Sequence, residues 1–159
     1  MVKINWLRLA AAVIVCNLAG FAGSFFTMPS IPTWYASINK PFFTPPNWVF
    51  APAWTTLFVL MGIGLYMVWD KTNFSGKGRF ALYVFGFQLF LNIMWSALFF
   101  GLQSPMYAFF EIIALWIAIL FTIMKFREID RKAGYVLVPY MAWVTFAALL
   151  NLSVWLLNP

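Results

Sequence analysis

Amides and indoles, rather than acids, bases or thiols, are the residues of this chain best placed to do chemistry. Asn17, Asn92, Ser96 and Asn151 fall within apolar stretches at matching depth, and Trp54 and Trp95 share their level. An amide facing lipid is costly, so these groups are expected to point inward, where they bond across helices or to a ligand. Trp143, Ala147, Asn151 and Trp155 recur every four residues, which puts ring, small residue, amide and ring on one helical face. Gln88, Asn92, Trp95, Ser96 and Phe99 repeat the idea in an earlier stretch. Large aromatic walls carrying a few polar points are the usual makeup of a small-molecule pocket. Interhelical hydrogen bonding is the competing use of the same amides.

What is absent limits the chemistry further. The chain has no histidine, a single cysteine, Cys16, and only the acids Asp70, Glu111, Glu128 and Asp130. A His-based triad, an intramolecular disulfide and a Cys/His zinc site are excluded, so no metal site is expected and no cofactor is required. Neither a Walker A nor a Rossmann glycine pattern occurs. Cys16, on a stripe of small residues with Ala12, Gly20 and Ser24, reads as a packing residue that permits close helix contact. Glu111 is the one acid inside an apolar stretch, at a depth of roughly 9 Å by helical rise, and with no second acid beside it a proton relay is poorly supported. A partner or a cavity is expected for it, either as a polar contact for a ligand or neighbouring helix, or as a protonated or hydrogen-bonded structural residue.

The elements that must position these groups follow from composition. Hydrophobic residues make up 64% of the chain and charged ones 9%, which is far too apolar for a soluble domain of 159 residues. Five apolar stretches, approximately 6–27, 48–69, 79–101, 105–124 and 134–157, run roughly 20 to 24 residues each, against the roughly 20 that a hydrocarbon core demands. They lack strict alternation, and lipid cannot satisfy free backbone groups, so helices rather than barrel strands are expected. The fold class is therefore an all-α integral membrane protein, a five-transmembrane-helix bundle forming one membrane domain over residues 1–159. Pro52 and Pro139, inside the second and fifth spans, are expected to bend or loosen them.

Lys and Arg set the orientation. Lys3, Arg8, Lys71, Lys77, Arg79, Lys125, Arg127, Arg131 and Lys132 share one side of a five-span topology, and Lys40 alone lies on the other. This asymmetry puts the N-terminus in the cytoplasm and the C-terminus outside. The net charge of +6 is then topology, and nucleic acid is not expected as a partner. No separate cleavable signal is evident, because the apolar run after Lys3 and Arg8 is too long for an h-region, so the first span is expected to remain.

Residues 34–54, WYASINKPFFTPPNWVFAPAW, join the first two spans. Pro41, Pro45 and Pro46 deny the backbone regular helical bonding, while Trp34, Tyr35, Phe42, Phe43, Trp48 and Phe50 supply ring surface. A lid over an apolar pocket would use both properties, and an interfacial aromatic anchor would use the rings alone. The depth shared by the amides and this loop favours a pocket beneath it.

The chain resembles the translocator protein or tryptophan-rich sensory protein family over essentially its whole length. The resemblance rests on Trp34-Tyr35, Lys40-Pro41, Pro45-Pro46, Val49-Phe50 and Trp54; on Asn92, Trp95 and Phe99-Phe100-Gly101; and on Pro139-Tyr140, Trp143, Phe146-Ala147 and Leu150-Asn151. It implies a five-helix bundle, commonly a homodimer, with a pocket beneath the first loop that takes porphyrins and synthetic benzodiazepine-type or isoquinoline ligands. By position, Tyr35, Trp54, Asn92, Trp143 and Ala147 would line or shape that pocket, and the depth and spacing given above add Trp95 and Asn151. The implied function is a membrane receptor or sensor that binds tetrapyrroles, protoporphyrin or haem, and modulates their availability, transport or stress signalling. Some members promote light-dependent breakdown of protoporphyrin, for which Trp54 and Trp143 would be the implied catalytic rings. A porphyrin transporter is a weaker alternative, since inverted repeats and a coupling-ion site are not recognisable. Animal members end the fifth span with an aliphatic residue, Tyr and a basic residue; here Leu152-Ser153-Val154-Trp155 has neither Tyr nor a basic residue, which fits a prokaryotic membrane better than sterol transport.

Overall fold

The computed structural model describes residues 4–159 as seven helices that make five membrane crossings. Helix α1 (Trp6–Ser30) is followed by the one-turn α2 (Trp34–Ser37), then by α3 (Asn47–Thr72) and α4 (Lys77–Ser96), which continues into a π-helical turn (Ala97–Gly101). The fourth crossing is α5 (Pro105–Ile129), and the fifth is divided into α6 (Arg131–Val136) and α7 (Val138–Leu157). The protein is an integral membrane protein whose crossings are 25 to 27 residues long. At about 1.5 Å per residue they exceed a hydrocarbon core of about 30 Å, so their ends stand in the interface.

That excess is why the helices outrun the apolar stretches read from the sequence. Charged residues end an apolar run without ending a helix: α3 continues through Asp70 and Lys71, and α5 through Lys125 to Ile129. Backbone chemistry sets the actual ends. Asn5 caps α1 by accepting from the Arg8 N–H at 3.1 Å, and α3 stops where Asn73 takes φ 46°. Asp130 caps α6, its Oδ1 accepting from the Lys132 N–H at 2.8 Å. Pro139 loosens the fifth crossing and does not bend a continuous helix: it occupies the first turn of α7, after a break at Leu137. A missing N–H is harmless there, since first-turn donors have no intrahelical acceptor. Pro52 stays within an uninterrupted α3.

The crossings close a ring, α1 against α3 and α4, α5 against α4 and α7, with α3 returning to α6 and α7. Small residues make the α1–α3 seam possible. A Cβ placed on Gly62 would lie 2.5 Å from Val13 Cα, so only glycine lets the two backbones meet. Cys16 is fully buried in the core, consistent with packing. At the basic end of the bundle, Lys71 Nζ meets Asp130 Oδ2 at 2.8 Å and Arg8 lies 3.9 Å from Asp70. These contacts tie α3 to α6 and to α1.

The opposite end is built by the connection between α1 and α3. Tyr35 is buried against Phe99 and Phe100 of the π turn, and Ser30 Oγ donates to the Phe100 carbonyl at 3.0 Å. Farther along, Asn39 is joined to the end of α7 by three hydrogen bonds: its N–H donates to Asn158 Oδ1 at 2.9 Å, its amide to the Leu157 carbonyl at 3.3 Å, and Asn158 Nδ2 to the Asn39 carbonyl at 2.9 Å. The prolines keep residues 38–46 out of helix, and side-chain and turn hydrogen bonds replace the missing ladder.

Candidate functional site

A cavity of about 570 Å³ occupies the half of the bundle nearer this connection. Its walls come from four crossings. Asn17, Gly20 and Ser24 face it from α1, Trp54 and Phe58 from α3, Asn92, Trp95 and Ser96 from α4, and Trp143, Ala147 and Asn151 from α7, with Tyr35 and Ile31 at the connection. Helical geometry explains the selection: residues three or four apart share a face. The face of α1 is opened by Gly20, against whose backbone the Phe58 ring is seated directly.

Aromatic rings set the shape. Trp54 and Trp143 stand edge to face, centroids 6.5 Å apart at 85°, and Trp143 also contacts Phe50 and Phe146. Across the cavity Trp95 stacks on Phe99 at 5.1 Å and 22°. Such packing locks ring orientation, leaving flat apolar walls.

The amides serve the bundle more than the sequence implied. Asn92 Nδ2 donates to the Tyr140 hydroxyl at 2.9 Å, and that hydroxyl donates to Gln88 Oε1 at 3.0 Å, a buried chain beneath the cavity. Trp95 Nε1 donates to Asn151 Oδ1 at 3.0 Å, while Asn151 Nδ2 donates to the Pro105 carbonyl at 2.7 Å. Asn17 Nδ2 is used by the Val13 carbonyl of its own helix. Satisfied amides of this kind hold the walls in place, and what they offer a ligand is their remaining capacity. Trp143 is the exception: its Nε1–H is buried and has no acceptor among the described residues. A buried donor without an acceptor costs about 1 to 3 kcal/mol, which a ligand oxygen or nitrogen would recover. Tyr35, outside the crossings, has its phenol pushed above its ordinary range by burial, so it remains a neutral group at the rim.

Tyr35, Trp54, Asn92, Trp95, Trp143, Ala147 and Asn151 therefore all lie around one cavity. Trp155, grouped with three of them by spacing, does not. Each four-residue step overshoots a full turn by about 40°, and three steps carry Trp155 round to Phe109 and Phe110 on α5. Gln88 lies below the cavity rather than in its wall. Glu111 has neither the partner nor the cavity expected for it: both carboxylate oxygens are buried without a hydrogen bond among the described residues, and the cavity wall excludes it. Phe50, Phe58 and Phe146 belong to the wall with no sign of it in the sequence, since phenylalanine carries no polar signature to separate a wall from a core.

A model of the TspO/MBR family matches residues 12–156, nearly the whole of this chain. The chain belongs to the TspO/MBR family. It is 49% identical over 154 residues to the tryptophan-rich protein TspO of Archaeoglobus fulgidus, covering 97% of this chain and 99% of that one. The translocator protein of Homo sapiens is 33% identical over 151 residues, with 94% and 89% covered, and the tryptophan-rich sensory protein of Cereibacter sphaeroides 31% over 156 residues, with 98% and 94%. Near-complete coverage on both sides means the TspO/MBR match takes in all five crossings and the connection that carries Tyr35.

Proposed function

We propose that this chain is a membrane receptor or sensor that binds tetrapyrroles such as protoporphyrin or haem in the cavity and modulates their availability, passage or stress signalling. The observation that carries the reading is the cavity itself: about 570 Å³, walled by paired indoles, with Trp143 Nε1–H buried and without an acceptor among the described residues. Flat ring walls suit a flat apolar macrocycle, and with no histidine in the chain the site suits the macrocycle more than iron ligation. Relatives named as a translocator protein and a tryptophan-rich sensory protein support a receptor or sensing role. In this reading residues 34–48 form a lid on the outer side, supported by Tyr35 in the wall, Phe43 against Phe146, and the Asn39–Asn158 bonds.

Titrating protoporphyrin into the purified protein in neutral detergent, with tryptophan quenching and the pigment's absorbance as readouts, tests the reading. Saturable binding is expected that Trp143→Ala weakens at least several-fold. Non-saturable partitioning, indistinguishable from empty micelles, would overturn it.

A second reading has one specific observation in its favour. Trp54 and Trp143 present two indoles 6.5 Å apart on the same wall, close enough for both to meet the excited state of one bound pigment. Light- and oxygen-dependent breakdown of protoporphyrin would use these rings as electron donors.

A further inference from the structure

Lys40 is the one lysine or arginine among the described residues at the cavity end of the bundle; all the others lie at the basic end. Its side chain is held in place. Nζ donates to the Ile38 carbonyl at 3.0 Å and lies 4.9 Å from the centroid of Tyr35, whose ring belongs to the cavity wall. The backbone beneath it is held as well, since Asn39 is bonded to Asn158 and Leu157 and Pro41 follows with a fixed φ.

An ammonium has three hydrogens and accepts nothing. One serves Ile38, the ring of Tyr35 faces the charge, and among the described residues no carboxylate pairs with Lys40. Asp70, Glu128 and Asp130 are all engaged at the opposite end, and the carboxylate oxygens of Glu111 are buried along α5. Half-buried beside the Tyr35 ring, the ammonium is screened less from an approaching anion than it would be in open water.

We infer that Lys40, which stands outside the cavity wall and beside Tyr35, is the anion-recognising residue at the rim of the site, taking a carboxylate on the periphery of an otherwise apolar, planar ligand. This rests on the tetrapyrrole reading and narrows it, because it selects macrocycles bearing free carboxylate arms over uncharged ones of the same ring. The geometry divides recognition in two: the indole walls take the ring, and Lys40 beside Tyr35 takes the acid.

Protoporphyrin and its dimethyl ester share a ring and differ in charge, so together they isolate this contribution. Both would be titrated into wild type, Lys40→Gln and Lys40→Arg in neutral detergent. Wild type is expected to prefer the diacid. Lys40→Gln should lose about three- to tenfold in diacid affinity, the range for a partly exposed to partly buried charged hydrogen bond, with ester affinity unchanged. Lys40→Arg should retain most of the preference. Ester binding serves as the folding control for each variant. Equal affinity of wild type for diacid and ester would mean that the cation serves lipid headgroups instead, and would overturn the assignment. Parallel loss of diacid and ester in Lys40→Gln would also overturn it, making Lys40 a support of the connection only. Failure of wild type to bind either pigment would instead sink the tetrapyrrole reading itself.

Discussion

Trp95 and Asn151 are joined across two crossings: the indole N–H donates to Asn151 Oδ1 at 3.0 Å, and the same amide donates onward to the Pro105 carbonyl at 2.7 Å. One buried side chain thus fixes a cavity wall on α4 and the start of α5. Asn151→Leu keeps approximate volume but leaves an indole donor and a carbonyl without partners. The expected cost is about 1 to 3 kcal/mol, toward the lower end because interhelical bonds in membranes average less than their counterparts in water. Thermal unfolding in detergent should show a lowered midpoint, and an unchanged midpoint would mean that these bonds contribute nothing.

Ala147 sits on the cavity wall one turn beyond Trp143, with 9% of its surface exposed. Threonine there adds volume and a hydroxyl that can bond back to the Trp143 carbonyl, pulling the helix toward a bend. Ala147→Thr should weaken protoporphyrin binding by about 1 to 3 kcal/mol, the usual cost of overpacking a formed site. The titration described above measures it directly; unchanged affinity would place the ligand away from this face of α7.

The five crossings were legible because an apolar run of membrane length admits few other structures, and the cavity residues because amides and indoles at one depth have few reasons to coincide. Asn92 and Asn151 show where that reading stopped. Their residue types announced burial and polarity, but whether each amide faces a ligand or another helix depends on Tyr140, Gln88, Trp95 and Pro105, which come from distant parts of the chain. Trp155 failed for a local reason, the drift of four-residue spacing around a helix of 3.6 residues per turn. The bonds between Asn39 and Asn158 left no local signal at all. They join residues 119 apart, and nothing near either asparagine marks its partner.

At the basic end, Asp130 joins two roles, cap of α6 and partner of Lys71. Burial pushes its carboxyl up, but the hydrogen bond from Lys71, the N–H groups of Lys132 and Ala133, and the nearby Lys71 charge outweigh that and hold it below the ordinary range. A carboxyl whose pKa is lower folded than unfolded adds stability that is present above the unfolded value, near 4, and is lost as pH falls through the folded value. Asp130→Asn keeps an acceptor for the cap and removes the charge. It should unfold less than about 1 kcal/mol more easily than wild type at pH 7, with the gap closing as pH drops below about 4. A gap that is constant from pH 7 to 3, followed by thermal unfolding, would show that the charge of Asp130 contributes nothing.

Trp54 and Trp143 allow binding and chemistry to be separated, because both rings face one cavity in contact with each other. If they act only as walls, Trp→Phe at either position preserves an aromatic surface, weakens protoporphyrin binding modestly, and leaves photobleaching of the bound pigment at its rate in free solution. If they donate electrons to the excited pigment or trap an intermediate, the same change should abolish product formation while binding survives, since a benzene ring is much harder to oxidise than indole. The readout is the ratio of turnover to occupancy for each single variant, under one light dose and one oxygen level. The edge-to-face contact adds a further expectation: an electron hole shared between the rings would make the double variant no worse than the more damaging single one. A fall in turnover that merely tracks the fall in occupancy would remove any chemical role from these two residues and leave them as the walls of a receptor site.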